Sequence, residues 1–505
     1  MCYVGLDLGT SGIKALLFHS DGRVISHSYK SYDLISSSKG WLELDPNNVW
    51  ESVVFVLKDI SSKYRNKTSI KALSISSFGE AYVPIDKDGK VIYNSILATD
   101  TRGESELKTI LSSISENEII QITGLPLSPT YSINKILWMK NNKSDIYKKI
   151  WKLLLYQDYI CYKLCGEIVT DYSLASRTMV FDINSKKWSK QILEAVDVDP
   201  ELFSQTAVAG TVIEKINRRT AQELNLPESL LIVLGGHDQP CAALGAGVID
   251  EGYAVDSTGT TEALVPVLYK KLDTNVVKQY NFPCEPFVID GVYNTMAFTH
   301  TAGILLKWFG NEFSEFEKQA CVKDSKNLYK YLDDRCPEEP TKLFVLPHFA
   351  GSATPFMDMN SKGAIIGLSL STTKEEIFKA FMEGITYEMR YNIECLDKAD
   401  ISLKELIAVG GGANSDVWLQ IKADILNKEI SVPECTEAAA MGAAILSAKA
   451  IGDYDSYKEA IDNMVKTKRY IYPDEKRVLR YESMFDEYKE LYFYTNETNK
   501  FLSKI

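Results

Sequence analysis

An α/β protein built from two related halves is what the 505-residue sequence predicts, and three observations carry that expectation. Short apolar strands punctuated by Gly and Asp-Gly turns alternate with helical stretches along most of the chain. A strand running into Asp7-Leu8-Gly9-Thr10-Ser11-Gly12 is echoed 250 positions later by Ser257-Thr258-Gly259-Thr260-Thr261. The length itself, at about 100 to 200 residues per domain, calls for two to four domains.

Taken in order, the apolar run of residues 3 to 8 and the run Ala15 to His19 enclose the first Gly-Thr turn, and Asp21-Gly22 turns the chain into a hairpin. The same grammar recurs at Val83 to Tyr93 through Asp88-Gly89, and helices are expected at Asn134 to Asn141 and Gln157 to Leu164. An apolar strand then meets Gly235-Gly236-His237-Asp238 and an Ala-rich helix, and the Gly-rich Leu244 to Gly247 sets a boundary near residue 245. Residues 1–245 and 246–452 are therefore read as two domains. The second holds the echoed Gly-Thr hairpin, a turn at Asp290-Gly291, the helix Lys374 to Leu396, the strand Leu406 to Val409, and the helix Val417 to Asn427. Residues 453–505 read as a helical extension packed on the core, with its main helix at Asp474 to Tyr494. Taken alone, the echo fits both a duplication and chance.

Composition narrows the function. Hydrophobic residues make up 45% and charged residues 25%, the usage of an ordinary globular protein, which excludes disorder as the main state. With 56 Lys and Arg against 68 Asp and Glu the net charge is -12, so no overall field draws in nucleic acid or an anionic membrane. An acidic protein can still hold a polyanion locally, through backbone amides or a bound cation. Asp7 interrupts the segment where an export signal would need its apolar stretch, and no window approaches the roughly 18 apolar residues of a spanning helix. Nine scattered cysteines, of which only Cys161 and Cys165 are close, and five histidines without ligand spacing point to reduced thiols in a cytoplasmic protein with no His-based metal centre.

Four segments could carry chemistry. Each Gly-Thr hairpin presents consecutive amides and hydroxyls to a phosphate, with Lys14 adding a cation; an ordinary hairpin explains each turn as well. The strand, glycine loop and helix of Val409-Gly410-Gly411-Gly412-Ala413-Asn414-Ser415 is the order in which a backbone approaches a nucleotide, although neither the dinucleotide fingerprint nor a P-loop is present. Asp238 stands at a strand mouth and a helix start, where it either accepts a proton from a hydroxyl or caps the helix. His237 reads as a packing or orienting neighbour.

These residues, in this order, resemble the FGGY carbohydrate kinases. The match runs through Asp7 to Ser11, Lys135 to Asn142, Asp171 to Thr178, Gly236 to Gln239, Ser257 to Thr261, Gly363 to Leu368, Gly410 to Asn414 and Met441 to Ala444. The resemblance implies two ribonuclease-H-like domains of the actin and hexokinase-like ATPase kind around a central cleft, the first binding sugar and the second nucleotide. It also implies phosphoryl transfer from ATP to a sugar hydroxyl in carbohydrate catabolism. Asp238 would be the base. Gly9, Thr10, Ser11, Gly259 and Thr260 would cradle phosphates, Lys14 would lie near the transferred group, and Gly411, Gly412 and Asn414 would border the adenosine. Asp7 would help place Mg²⁺, and Glu80, Asp100 and Gln239 would meet the sugar.

Departures bear on which sugar. The segment Ser76-Ser77-Phe78-Gly79-Glu80-Ala81 lacks the Met-His pair of xylulose and gluconate enzymes and matches only the Glu of the Arg-Glu pair of glycerol kinases. It is nearer the Phe-Gly and Trp-Gly segments of fuculokinases and rhamnulokinases. Ala98 stands where an aromatic residue precedes Asp-x-Arg, and Gly351-Ser352-Ala353-Thr354-Pro355 replaces Gly-Glu-Arg-Thr-Pro. The expected acceptor is a ketose such as xylulose or a deoxyketose such as fuculose or rhamnulose, with glycerol or gluconate kinase specificity, or a sensor without turnover, as alternatives. The sequence leaves monomer and homodimer open.

Overall fold

The computed structural model describes residues 1–38, 40–323 and 326–503. Two sheets organise it. In the first, Cys2–Gly9, Gly12–His19 and Val24–Ser31 form an antiparallel meander, and Ile70–Ser77 and Leu231–His237 continue it in parallel beside Cys2–Gly9, with Val212–Lys215 at the edge. The second sheet repeats this plan. Tyr253–Thr258, Glu262–Leu268 and Ala297–Thr299 are antiparallel, and Glu405–Gly410 and Glu429–Pro433 add in parallel beside Tyr253–Thr258. The two Gly-Thr turns occupy the same place in each, between the first and second strands, where Gly9 opposes Gly12 and Thr258 opposes Glu262. Shared strand order turns the sequence echo into a structural duplication.

Strands such as Cys2–Gly9 are nearly continuous apolar runs because both faces are covered. One core lies between the first sheet and the helix Pro46–Lys63. Another lies around the helices Lys374–Lys398 and Asp416–Leu426. A third core joins the halves. In it, helix Asp238–Gly245 and its counterpart Ala438–Ala450 pack against each other and against strands of both sheets. Glycines permit this. A Cβ on Gly5 would lie 2.0 Å from the Ala440 carbonyl oxygen, one on Gly245 1.9 Å from that of Ala438, and one on Gly442 1.9 Å from that of Cys241.

The helical extension expected after residue 452 needs correction. Thr467–Ile471 is a strand that completes the second sheet beside Glu429–Pro433, while Tyr457–Met464 packs in the core between the halves. Only from Glu475–Leu502 is the segment one long helix; positions 504 and 505 lie outside the described residues. Among the described residues no helix is long and apolar enough to cross a membrane, and all nine cysteines are free. Cys161 and Cys165 share one face of the helix Tyr156–Cys165.

Candidate functional site

Asp238 is the first residue of helix Asp238–Gly245, directly after strand Leu231–His237. Strand and helix together aim it into the space between the halves. Its carboxyl is pushed up to about 7, first by burial and then by the charges of Asp7 and Glu80, with Arg177 and the Gln239 amide opposing. His237 Nε2 lies 3.3 Å from Asp238 Oδ1. Burial and the Arg177 charge hold His237 well below its usual range, so the ring beside the Asp238 carboxylate is neutral, and its Nδ1 has no partner. Behind it, the Asp171 carboxylate caps the short helix Tyr172–Ser176 and accepts from Ser173 Oγ at 2.5 Å, and Ser173 Oγ accepts the His237 amide at 2.9 Å.

Asp7 sits on the first strand, separated from Leu231–His237 by Ile70–Ser77, its carboxyl raised to about 6 by burial, partly offset by Lys14. Lys14 stands opposite Asp7 in the hairpin register, and its ammonium reaches across to Glu437 at 2.6 Å. Thr10 and Ser11 are exposed at the tip of that hairpin.

Glu80 adopts φ 64°, a left-handed conformation that a Glu holds only when its surroundings dictate it. They do, because Ser132 Oγ donates to its carbonyl at 2.5 Å and Arg177 Nε donates to its carboxylate at 2.7 Å. The same guanidinium pairs with Glu285, from the second half of the chain. Gln239 presents a buried amide oxygen with no partner. Asp100 differs from these two. Its side chain is fully buried, with one oxygen accepting from the Leu42 amide at 2.5 Å and both bound by Arg102, at 2.9 and 2.6 Å. Lys135, near Asp100 and Glu80, is pulled down to about 8 by burial.

On the other side, a cavity of about 580 Å³ brings the two C-terminal glycine motifs together: Gly259 and Thr260 from the hairpin, Gly411, Gly412 and Asn414 from the loop. A Cβ on Gly259 would meet nothing within 4 Å, so the backbone there is open to close approach by a ligand. Apolar side chains such as Phe378, Met382 and Trp418 line the remainder. Gly9, Thr10 and Ser11 belong to the other half and do not line this cavity.

Over residues 2–245 the chain matches the N-terminal domain, and over residues 257–451 the C-terminal domain, of the FGGY family of carbohydrate kinases. The chain belongs to this family. It is a carbohydrate kinase with the actin and hexokinase-like ATPase fold. Among similar proteins, the xylulose kinase of Staphylococcus xylosus is 29% identical over 495 residues, 97% of this chain and all of that one. The gluconokinase of Bacillus subtilis (strain 168) is 27% identical, covering 92% and 91%. Among solved structures, a ligand-bound xylulose kinase from Lactobacillus acidophilus superposes with TM-score 0.89 at 23% identity, covering 99% of both chains. The glycerol kinase of Plasmodium falciparum with ADP gives 0.83 at 20%, covering 97% of both chains.

Sequence reasoning missed several residues of this kinase's cleft. Arg177 and Glu285 sit 97 and 205 positions beyond Glu80, and no local pattern joins them. Gly303 and Lys307, on the helix Gly303–Phe313, also line the cavity, and the Gly303 amide bonds the Gly259 carbonyl at 3.0 Å. A Gly four residues after the strand Ala297–Thr299 was the available signal for this helix start.

Proposed function

We propose that this kinase transfers the γ-phosphoryl group of ATP to a hydroxyl of an uncharged ketose, with xylulose as the first candidate and Asp238 as general base. The observation that carries the reading is Asp238 itself: a carboxyl at a helix start in the cleft, with the ordinary value of a carboxylate moved to about 7, where it takes up and releases protons near neutrality. A merely capping aspartate has no need of that environment. His237 orients its carboxylate, leaving the second oxygen to accept the sugar proton as the hydroxyl attacks.

The cavity at Gly259 and Gly411 is assigned to ATP, its apolar wall to the base, and the Gly259–Thr260 turn to the phosphates. The Gly9–Ser11 turn and Lys14 approach the same phosphates from the other half, as positioning and charge neutralisation require. Asp7 is assigned to Mg²⁺. The residues fit such an ion: Asp7 is a buried carboxyl raised by burial, and its charge in turn raises Asp238, so a cation held through water and phosphate oxygens would relieve both. When bound, Mg²⁺ neutralises charge on the transferring phosphoryl group.

Charge supports a neutral acceptor. Glu80, Asp238 and Glu285 crowd the sugar side, and the one guanidinium among them is shared by two of these carboxylates. A carboxylate on the substrate would face more repulsion than attraction there. Glu80 and Gln239 are assigned to sugar hydroxyls, while Asp100 shapes the site through Arg102. The test is ADP release with xylulose, deoxyketoses, glycerol and gluconate in turn. A ketose is expected to be the best acceptor; gluconate as best would overturn the neutral-acceptor reading, and no sugar-dependent release at all would overturn transfer itself.

A further inference from the structure

Directly behind the nucleotide cavity lie three charged side chains, none more than 2% exposed: Lys422, Asp256 and Glu262. The Lys422 ammonium has three hydrogens, and all three are used. It donates to Asp256 Oδ2 at 2.6 Å, to Thr258 Oγ1 at 2.6 Å and to Glu262 Oε1 at 3.0 Å. The acceptors flank one turn. Asp256 and Thr258 precede Gly259 on one strand, and Glu262 follows Thr261 on the next. Lys422 comes from elsewhere, on the helix Asp416–Leu426 that leaves the Gly411–Asn414 loop.

The ammonium therefore ties together the two segments that line the cavity. Backbone contact reinforces it, since a Cβ on Gly412 would strike the Thr258 side chain at 2.6 Å, and one on Gly410 the Thr258 carbonyl oxygen at 2.6 Å. Trp418, one turn before Lys422, forms part of the cavity wall, with its ring 5.2 Å from the ammonium. Three buried charges are a poor way to stabilise a sheet, because apolar side chains of similar volume commonly do as well or better. What directional bonds supply, and apolar packing does not, is a fixed register between two loops.

We propose that Lys422 is a positioning residue for nucleotide binding: bonded to Asp256, Glu262 and Thr258, it fixes the separation of the Gly259–Thr260 turn and the Gly411–Asn414 loop without touching the nucleotide. The proposal rests on the assignment of that cavity to ATP. Lys422→Met alone would leave two buried carboxylates without a cation, so the informative variant is Lys422→Met/Asp256→Asn/Glu262→Gln, which keeps volume and removes charge. ATP and ADP binding is measured by calorimetry on the full chain, KM for ATP and for sugar by ADP release, and folding by thermal melting. Displacement of loops by a fraction of an ångström is expected to weaken ATP binding about tenfold or more, with KM for sugar within about threefold of wild type. Thr258→Val, which removes one acceptor at constant shape, is expected to weaken ATP by a smaller factor, and it decides the matter if the triple variant does not fold. A folded variant of either kind with unchanged ATP affinity, or with both KM values raised together, overturns the proposal. Wild-type protein that binds neither ATP nor ADP would instead defeat the cavity assignment, and the proposal with it.

Discussion

Replacing Asp238 by Asn separates catalysis from stability, because the carboxyl that would take the proton is also one the fold tolerates badly when ionised. Its shift from 3.8 to about 7 corresponds, at roughly 1.4 kcal/mol per pH unit, to a ceiling of about 4 kcal/mol against the charged form. The side chain keeps 29% of its exposure, so about half of that ceiling, near 2 kcal/mol, is the working figure. Loss of the negative charge at a helix start gives back about 0.5 kcal/mol. The sign follows from linkage: a carboxyl with a raised folded value contributes stability that is full below about pH 3.8 and is lost as pH rises through 7. Asp238→Asn does not titrate. Its advantage over wild type should be absent near pH 4, grow up to pH 7 and then stay level at about 1.5 kcal/mol, a rise of roughly 1 to 2 degrees in melting temperature for a chain of this size. Sugar-dependent ADP release should meanwhile fall by at least about a thousandfold while ATP still binds. In wild type, kcat/KM should climb through pH 7 as the base loses its proton. Melting curves from pH 4 to 9 and the coupled assay check both halves. Turnover within about tenfold of wild type would refute the base assignment, and an Asn variant that melts below wild type at pH 8 would refute the electrostatic argument.

Arg177→Ala leaves Glu80 and Glu285 buried without their cation, and is expected to cost about 3 to 5 kcal/mol in a denaturant titration. Arg177→Lys should recover little, since one ammonium does not reproduce a planar fork shared by two carboxylates. Gly442→Ala would place a methyl group 1.9 Å from the Cys241 carbonyl oxygen, and the forced separation of the two central helices should cost about 1 to 3 kcal/mol, read as a lowered melting temperature.

Much of this architecture was legible because its signals are local. A Gly-Thr turn between two apolar strands is recognisable wherever it occurs, and finding Gly259 and Gly411 in one cavity needed only motif order plus the resemblance. The unread parts have physical reasons. Thr467–Ile471 alternates no apolar face because it is an edge strand with every residue partly or fully exposed, so nothing in Thr-Lys-Arg-Tyr-Ile marks it as sheet. Lys422 looks like any solvated helix lysine until the fold places two carboxylates against it from more than 150 positions away. Asp100 was legible as a carboxylate of interest, but its saturation by Arg102 and the Leu42 amide is a property of packing. Glu80 was found by its neighbours in sequence, whereas its left-handed backbone belongs to the folded chain alone.

The close approach of helices Asp238–Gly245 and Ala438–Ala450 has a mechanical consequence. Where the glycines bring one helix against the carbonyl oxygens of the other, any parting of the surfaces opens a gap too small for water and forfeits contact at those points. Such a joint is stiff against pulling apart. Because Asp238 begins one of the two helices, the carboxylate proposed as base is anchored one turn from the contact of Gly442 with Cys241, in the most closely packed seam between the halves.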